Sequence, residues 1–248
     1  MQPKVSIVTV CLNAEKTIER TIKSVLNQTY SNIEYIIIDG VSTDRTLEIV
    51  GSYKNRFGDR LKISSERDRG IYDAMNKGIA VSTGEIIGII NSDDWYETEA
   101  VQNVVDAFSK TTNAVYYGIL RCYSGDDEVM LKAVNYKYLH EDNVGHPSYF
   151  VSTSLYKKHG TFRMDYKYAS DFEFMLRLIQ RGVQFVQINQ ILANYSYGGA
   201  SSKQEINTYA EYYKIRYEYG YLSKKGLFLR LVRNKLYFFF RGIKILKS

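Results

Sequence analysis

Proline is nearly missing from this chain, with two in 248 residues, so proline-rich linkers and extended disordered tails are not expected. Cysteine is as scarce. Cys11 and Cys122 make neither a disulfide framework nor metal-ligand spacing, which fits a reducing compartment, and the apolar run around Cys11 predicts a buried thiol. No stretch of about 18 apolar residues is free of charge, so a membrane span is not expected. The opening MQPKVSIVTV lacks the charged-then-apolar layout of an export signal. The glycine patterns that cradle phosphate, G-x-G-x-x-G and G-x-x-x-x-G-K-[ST], do not occur, which argues against dinucleotide and P-loop enzymes. Internal repeats and low-complexity segments are absent too.

What is present describes a globular protein: 45% hydrophobic and 24% charged residues, long enough for one large domain or one and a half. The net charge of +6 is uneven. From Lys224 onward the chain carries eight cations and no acid, so everything before that point sums to −2. Basicity belongs to the tail, and a nucleic-acid partner, which prefers a basic patch across a domain, is not expected.

Apolar runs alternate with helical spacing. VSIVTV (5–10) predicts a first buried strand, and Ile18, Ile22, Val25 and Leu26 predict a helix. IEYIIID (33–39) is a second strand, followed by a helix opened by STDRTLEIV, with Ser42 or Thr43 as its cap. LKISS gives a third strand and YDAMNKGIAVSTG a third helix. GEIIGII gives a fourth strand, buried on both faces. This rhythm predicts an α/β, doubly wound, mostly parallel sheet with helices on both faces. Beyond Glu99 the alternation loosens: AVYYGILRCYS and DEVMLKAV flank a turn, SYFVSTSLYKKHG is a strand entering a helix, SDFEFMLRLIQRG is a helix stopped by Gly182, and VQFVQI is a strand.

Ligands of such sheets gather at the carboxyl ends of the strands. Asn13 follows the first strand, Asp39 closes the second, Glu66 and Asp68 follow the third, and Asp93 and Asp94 close the fourth. Two adjacent carboxylates repel unless a cation, a basic side chain or a helix N-terminus lies beside them. An acidic cap on the next helix needs only one of them.

The ordered series VSIVTVCLN, SVLNQTYSNIEYIIIDGVSTDRTLEIV, DRGIYDAMNKGIAVSTGEIIGIINSDDW and ASDFEFMLRL resembles the family 2 glycosyltransferases with the GT-A fold, particularly bacterial members that build surface polysaccharides. The resemblance implies an inverting transfer of a sugar from a nucleotide-sugar donor, UDP-linked by preference, to a glycan or polyprenyl-linked acceptor, at the cytoplasmic face of the membrane. It implies that Ser92-Asp93-Asp94 holds Mn²⁺ or Mg²⁺ on the donor diphosphate. Asp94 would be the direct ligand and Asp93 would contact the ion's water or the ribose. Hard oxygen ligands suit either ion. By the same resemblance Asp39 contacts the nucleobase and Asp68 the nucleoside, while Asn76 and Lys77 orient the donor. Many relatives carry two adjacent aspartates where this chain has Asp39-Gly40, so Asp39 could instead only form the turn. Asp171 corresponds to the catalytic base, with Glu173 as runner-up, although Ser170 and Glu173 also have the spacing of a capping box. His146, beside Pro147, could contact phosphate or acceptor, or be structural. Trp95 could stack on an acceptor sugar or anchor its loop. Gly198 and Gly199 would give a lid its hinge.

The implied organisation is a GT-A domain over 1–202, with a nucleotide-binding half to about 97 and an acceptor half over about 98–202. A basic, amphipathic helical extension then covers 203–248. As a helix, the tail places Arg230, Arg233, Asn234, Tyr237, Arg241 and Lys244 in one stripe, with Leu227, Leu231, Phe238, Phe239, Phe240 and Ile245 opposite. That pattern suits an anionic membrane surface, or a helix packed on the domain. The rival functions are a sugar-phosphate nucleotidyltransferase and a non-catalytic, membrane-associated nucleotide-sugar-binding protein.

Overall fold

The computed structural model describes residues 2–142, 144–198 and 205–245. Its first half winds β1 (Val5–Cys11), α1 (Ile18–Leu26), β2 (Ile33–Asp39), α2 (Thr46–Ser52), α3 (Lys54–Phe57), β3 (Leu61–Ser65), α4 (Ile71–Val81) and β4 (Ile86–Ile89). The second half adds β5 (Trp95–Tyr96), α5 (Ala100–Lys110), β6 (Ala114–Ser124), β7 (Asp127–Lys132), β8 (Tyr149–Ser152), α6 (Thr153–His159), α7 (Ser170–Gln180) and β9 (Gln184–Ser196). Two further helices, α8 (Glu205–Glu218) and α9 (Lys224–Ile245), follow and pack on each other.

One sheet joins the strands in the order β3-β2-β1-β4-β8-β6-β9-β5, with β7 paired to β6. β3, β2, β1 and β4 are parallel, β8 runs against both its neighbours, and β6 resumes the first direction beside a parallel β9. β5 and β7 are antiparallel to their partners, so the sheet is mostly parallel with three reversed strands. Successive side chains point to opposite faces, and here both faces are covered. Val5, Ile7, Tyr35, Ile37 and Ile86 pack toward α1, α2 and α5, while Val8, Val10, Ile36, Ile38, Ile87 and Ile89 pack toward α4, α6 and α7. Continuous apolar runs are the consequence. Gly88 interrupts one because a Cβ there would lie 2.3 Å from the Phe150 ring, which stacks on Tyr96.

Both expected side-chain caps are absent. Ser42 gives its hydroxyl to Asp39, and Asp44 instead accepts the Thr46 N–H at 3.0 Å. Ser170 donates to the Arg163 carbonyl rather than capping α7, and Glu173 lies among Arg177, Arg163 and Tyr219, so no capping box forms. α7 is buried around most of its circumference, through Phe172, Phe174, Met175, Leu176 and Leu178, rather than along one stripe. β9 continues past the expected VQFVQI to Ser196. In α9 the expected polar stripe does not face outward as a unit: Asn234 is buried against the Ile206 carbonyl and Arg230 lies over the Tyr213 ring. Cys11 is buried as expected, and both cysteines are free thiols.

Glu34 is the exception to the apolar strand interior. It accepts from Ser6 Oγ, the Thr83 N–H and hydroxyl, and Lys62 Nζ, and pairs with Lys4 at 3.1 Å. Burial pushes its carboxyl up, but the hydrogen bonds from Lys62, Ser6 and Thr83 outweigh it and hold the group well below the usual range. A depressed carboxylate contributes stability that is present above the unfolded value, about pH 4.3, and is lost as pH falls through the folded one. Glu34→Gln is therefore expected to cost on the order of 2 kcal/mol at pH 7, with the gap to wild type closing in urea titrations below about pH 4. A gap that stayed constant down to pH 3 would contradict this account.

Candidate active site

Strand ends supply the polar edge. At the end of β2, Asp39 is fully buried. Its Oδ2 accepts from Val41 N–H at 3.1 Å, Ser42 N–H at 3.0 Å and Ser65 Oγ at 2.6 Å, while Oδ1 accepts from Ser42 Oγ and the Cys11 thiol. Both carboxylate oxygens are thus engaged by the 41–42 turn, Ser65 and Cys11. Val41 sits at φ +67°, a conformation costly for a β-branched residue. Gly40 has no room for a side chain, because a Cβ would lie 2.7 Å from Asp68 Oδ2. Asp68 thus brings its carboxylate to the place where relatives have a second aspartate, and its Oδ1 accepts from Gly70 N–H at 3.0 Å.

At the end of β4 the acids are less well served. Asp94 is fully buried; its Oδ1 accepts from Ser196 N–H at 3.0 Å, and its Oδ2 has no hydrogen-bond partner among the described residues. Burial, with the charge of Asp93 adding to it, pushes the Asp94 carboxyl well above the usual range. Burial raises Asp93 as well, and the Arg20 charge works against that. Arg20 is the basic neighbour the acidic pair called for. Its guanidinium lies 3.6 Å from the centre of the Trp95 ring and donates to the Asp93 carbonyl at 3.0 Å. Thr21 donates to the Asp94 carbonyl at 2.6 Å. Trp95 is held between Arg20 and Tyr123, an anchor for the loop.

An ion fits this donor set. A buried carboxylate oxygen without a partner, next to a second carboxylate, matches the hard-oxygen preference of Mg²⁺ or Mn²⁺. No group of three His, Cys, Asp or Glu side chains among the described residues is placed to hold a metal, so the remaining oxygens would come from the ligand and water.

The second half closes a cavity of about 580 Å³ that begins at Asn91, beside the acidic pair, and is walled by Gly70, His146, Asp171 and the α8–α9 hairpin. Asp171 lies in the first turn of α7 and is nearly buried, and Tyr72 of α4 donates to its Oδ1 at 2.7 Å. His146 opens onto the same cavity; its Nε2 is buried and has no partner among the described residues. Burial pushes the imidazole's pKa down, with Asp171 pulling the other way. Glu173 faces elsewhere, fully buried in its cluster with Arg177, so its contacts are those of a structural acid. Asn76 is spent on the backbone of Phe162, donating at 2.8 Å and accepting at 3.0 Å. Lys77 donates to the Arg67 carbonyl and pairs with Glu66. Gly198 lies in an exposed turn at φ +107°, and Gly199 and the rest of the expected lid lie outside the described residues.

Arg20, Tyr72 and Asn91 were not singled out from the sequence. Tyr72 stands inside the quoted DRGIYDAMNKG segment and Asn91 two residues before the acidic pair, so position along the chain was the available signal. For Arg20 none existed, because its approach depends on the rotation of α1.

A buried carboxylate oxygen with no partner is destabilising. In EDTA, Asp94→Asn should therefore be more stable than wild type by on the order of 1 kcal/mol, measured by thermal unfolding. A clear loss of stability would mean that the carboxylate is held by contacts other than these.

The chain matches the description "Glycosyl transferase family 2" over residues 6–190. It is 26% identical over 213 residues to a "PGL/p-HBAD biosynthesis glycosyltransferase" of Mycobacterium bovis, covering 81% of this chain and 80% of that one. To an uncharacterized glycosyltransferase of Mycobacterium tuberculosis it is 32% identical over 214 residues, covering 82% and 79%. Among solved structures, S. aureus TarS 1–349 in complex with UDP-GlcNAc superposes with a TM-score of 0.73 at 18% identity, over 93% of this chain and 71% of that one. A mannosyltransferase of Pyrobaculum calidifontis in complex with GDP-Man and Mn²⁺ gives 0.71 at 18% identity, over 96% and 70%. With a doubly wound sheet, acids at its strand ends and a family match over three quarters of its length, the chain belongs to glycosyl transferase family 2 and has the GT-A fold.

Proposed function

We propose that this protein is an inverting, metal-dependent glycosyltransferase that moves a sugar from a nucleotide-sugar donor to a glycan or lipid-linked acceptor in bacterial surface polysaccharide synthesis. The observation that carries the proposal is one continuous edge. Asp94, whose buried Oδ2 has no partner among the described residues, donates its backbone N–H to the Asn91 carbonyl at 3.2 Å, and Asn91 lines the same cavity as Asp171. The neighbours' ligands, UDP-GlcNAc and UDP in TarS and GDP-Man in the mannosyltransferase, support a nucleotide-sugar donor.

Asp93 and Asp94 would hold Mn²⁺ or Mg²⁺. Once bound, the ion would neutralise charge on the departing nucleoside diphosphate. Arg20 and Thr21 hold the loop of these acids through its carbonyls. Asp68, beside Gly40, is the acid facing the nucleoside, with Asp39 fixing the loop beneath. Asp171 takes the proton of the acceptor hydroxyl as its oxygen forms a bond to the anomeric carbon and the bond to the diphosphate breaks on the opposite face. Tyr72 fixes the orientation of Asp171, and neutral His146 offers Nε2 to the acceptor.

Calorimetry of UDP, GDP and dTDP with and without Mn²⁺, paired with turnover, tests this. One nucleotide should bind only with metal, and Asp94→Asn should lose that binding. Asp171→Asn should keep it while turnover falls by roughly 10²- to 10⁴-fold. Binding unaccompanied by transfer, and unaltered in Asp171→Asn, would instead favour a non-catalytic binding protein. No nucleotide binding at all would remove the donor site.

We also propose a peripheral position on the cytoplasmic face of the membrane. Among the described residues no helix is long and apolar enough to cross a membrane. α9 turns Phe228, Leu229, Val232 and Leu236 outward, away from α8, next to exposed Lys225, Arg233 and Lys235. An apolar stripe edged by cations complements an anionic lipid surface. The protein should cosediment with vesicles containing phosphatidylglycerol and not with phosphatidylcholine alone, and Phe228→Glu with Leu236→Glu should abolish binding. Failure of the wild type to sediment with anionic vesicles would end this proposal.

A further inference from the structure

The turn that carries Asp171 is gripped from outside the sheet. The three backbone N–H groups leading into α7 converge on one side chain: Glu211 of α8 accepts from Lys167 at 2.9 Å through Oε1, and from Tyr168 at 2.7 Å and Ala169 at 2.9 Å through Oε2. Ala169 is the residue at the cap position of α7 and has no side chain to offer, and Ser170 is engaged with Arg163. A charged acceptor on consecutive amides is a strong and directional restraint. One helical turn along α8, Ile215 is fully buried. Tyr212 meets the Phe172 ring edge-on at 4.8 Å, and Arg216 lies over the same ring. Phe172 is the residue next to Asp171.

From this convergence we infer that Glu211 is a positioning residue for the reaction. It fixes the backbone from which Asp171 projects, while Tyr72 fixes the carboxylate itself from α4. The inference rests on the reading of Asp171 as the base. It gives the C-terminal hairpin a part in catalysis beyond forming a wall or a membrane contact: the base is held from the nucleotide-binding half on one side and from α8 on the other. Displacing a catalytic group by about 1 Å can cost on the order of 100-fold in rate, so a backbone restraint two residues away has leverage on turnover.

The test compares the full-length wild type with Glu211→Ala, Glu211→Gln, Asp171→Asn and, as a control on the exposed side of α8, Lys214→Ala. Turnover is followed as nucleoside diphosphate released from UDP-GlcNAc and from GDP-mannose. UDP and GDP affinity comes from calorimetry, and amide hydrogen exchange is followed over 167–171. Glu211→Ala should lose protection at those amides by roughly tenfold or more and drop kcat by about 10- to 100-fold, with nucleotide affinity unchanged. Glu211→Gln keeps an oxygen for Tyr168 and Ala169 and should recover part of both losses, and it carries the test if the alanine variant does not fold. Lys214→Ala should match the wild type. Unchanged kcat in a folded Glu211→Ala, or a loss that lies in nucleotide affinity, overturns the inference while leaving the base in place if Asp171→Asn is inactive. Full activity in Asp171→Asn removes the base, and the role of Glu211 with it.

Discussion

Burying a carboxylate is costly unless donors replace its lost water, and that cost sorts the acids of this protein. Glu34, Asp39 and Glu173 are each out of solvent, and each is surrounded by donors: two lysines with Ser6 and Thr83, the 41–42 turn with Ser65, and two arginines with Tyr219. Their charges are already satisfied by the fold. Asp94 is equally buried and has a single backbone donor, with another acid directly before it. The contrast between the first three acids and the fourth is what the proposed cation at Asp94 rests on.

The sheet dictates where that place lies. With helices on both faces, the interiors of β1, β2 and β4 admit apolar side chains almost exclusively, so ligand-binding groups collect at the strand ends. The loops there carry the strain that such crowding produces. Val41 is forced into a left-handed conformation, and Gly40 yields its side-chain space to Asp68. The carboxylate of Asp68, from the loop after β3, takes the space that a Cβ at position 40 would need.

Strand positions were legible because burial on two faces writes an unbroken apolar run, and IEYIIID marked its strand to the residue. The acids of the edge were legible for the same reason, since each follows such a run. Caps were not. Ser42 and Ser170 have the chemistry of caps, but nearby groups outside the helices, Asp39 three residues earlier and the Arg163 carbonyl seven residues earlier, claimed their hydroxyls. Nor was Arg20, which reaches Trp95 only because α1 packs at one rotation against β5. In the tail, helical periodicity assigned Arg230 and Asn234 to an outward polar stripe, and α8 reversed this by offering the Tyr213 ring and the Ile206 carbonyl. A helix read alone cannot reveal which of its polar groups a neighbouring helix will accept.

The same hairpin joins a concentration of tyrosine. Tyr72, Tyr168, Tyr195, Tyr197, Tyr209, Tyr212 and Tyr213 all line the cavity beside Asp171. The cavity's lysines and arginines are occupied: Lys132 pairs with Asp142, Lys167 lies over the Tyr168 ring, Arg216 donates to the Glu141 carbonyl, and Arg230 rests on Tyr213. Net charge is thus a poor candidate for what this space selects. Ring faces with hydroxyl tips are suited to a partner that is apolar on one side and hydroxylated on the other, as sugar rings are. Because α8 supplies much of that wall, with Arg230 of α9, the cavity is shaped in part by the segment that follows the matched family region, where members of one fold are free to differ.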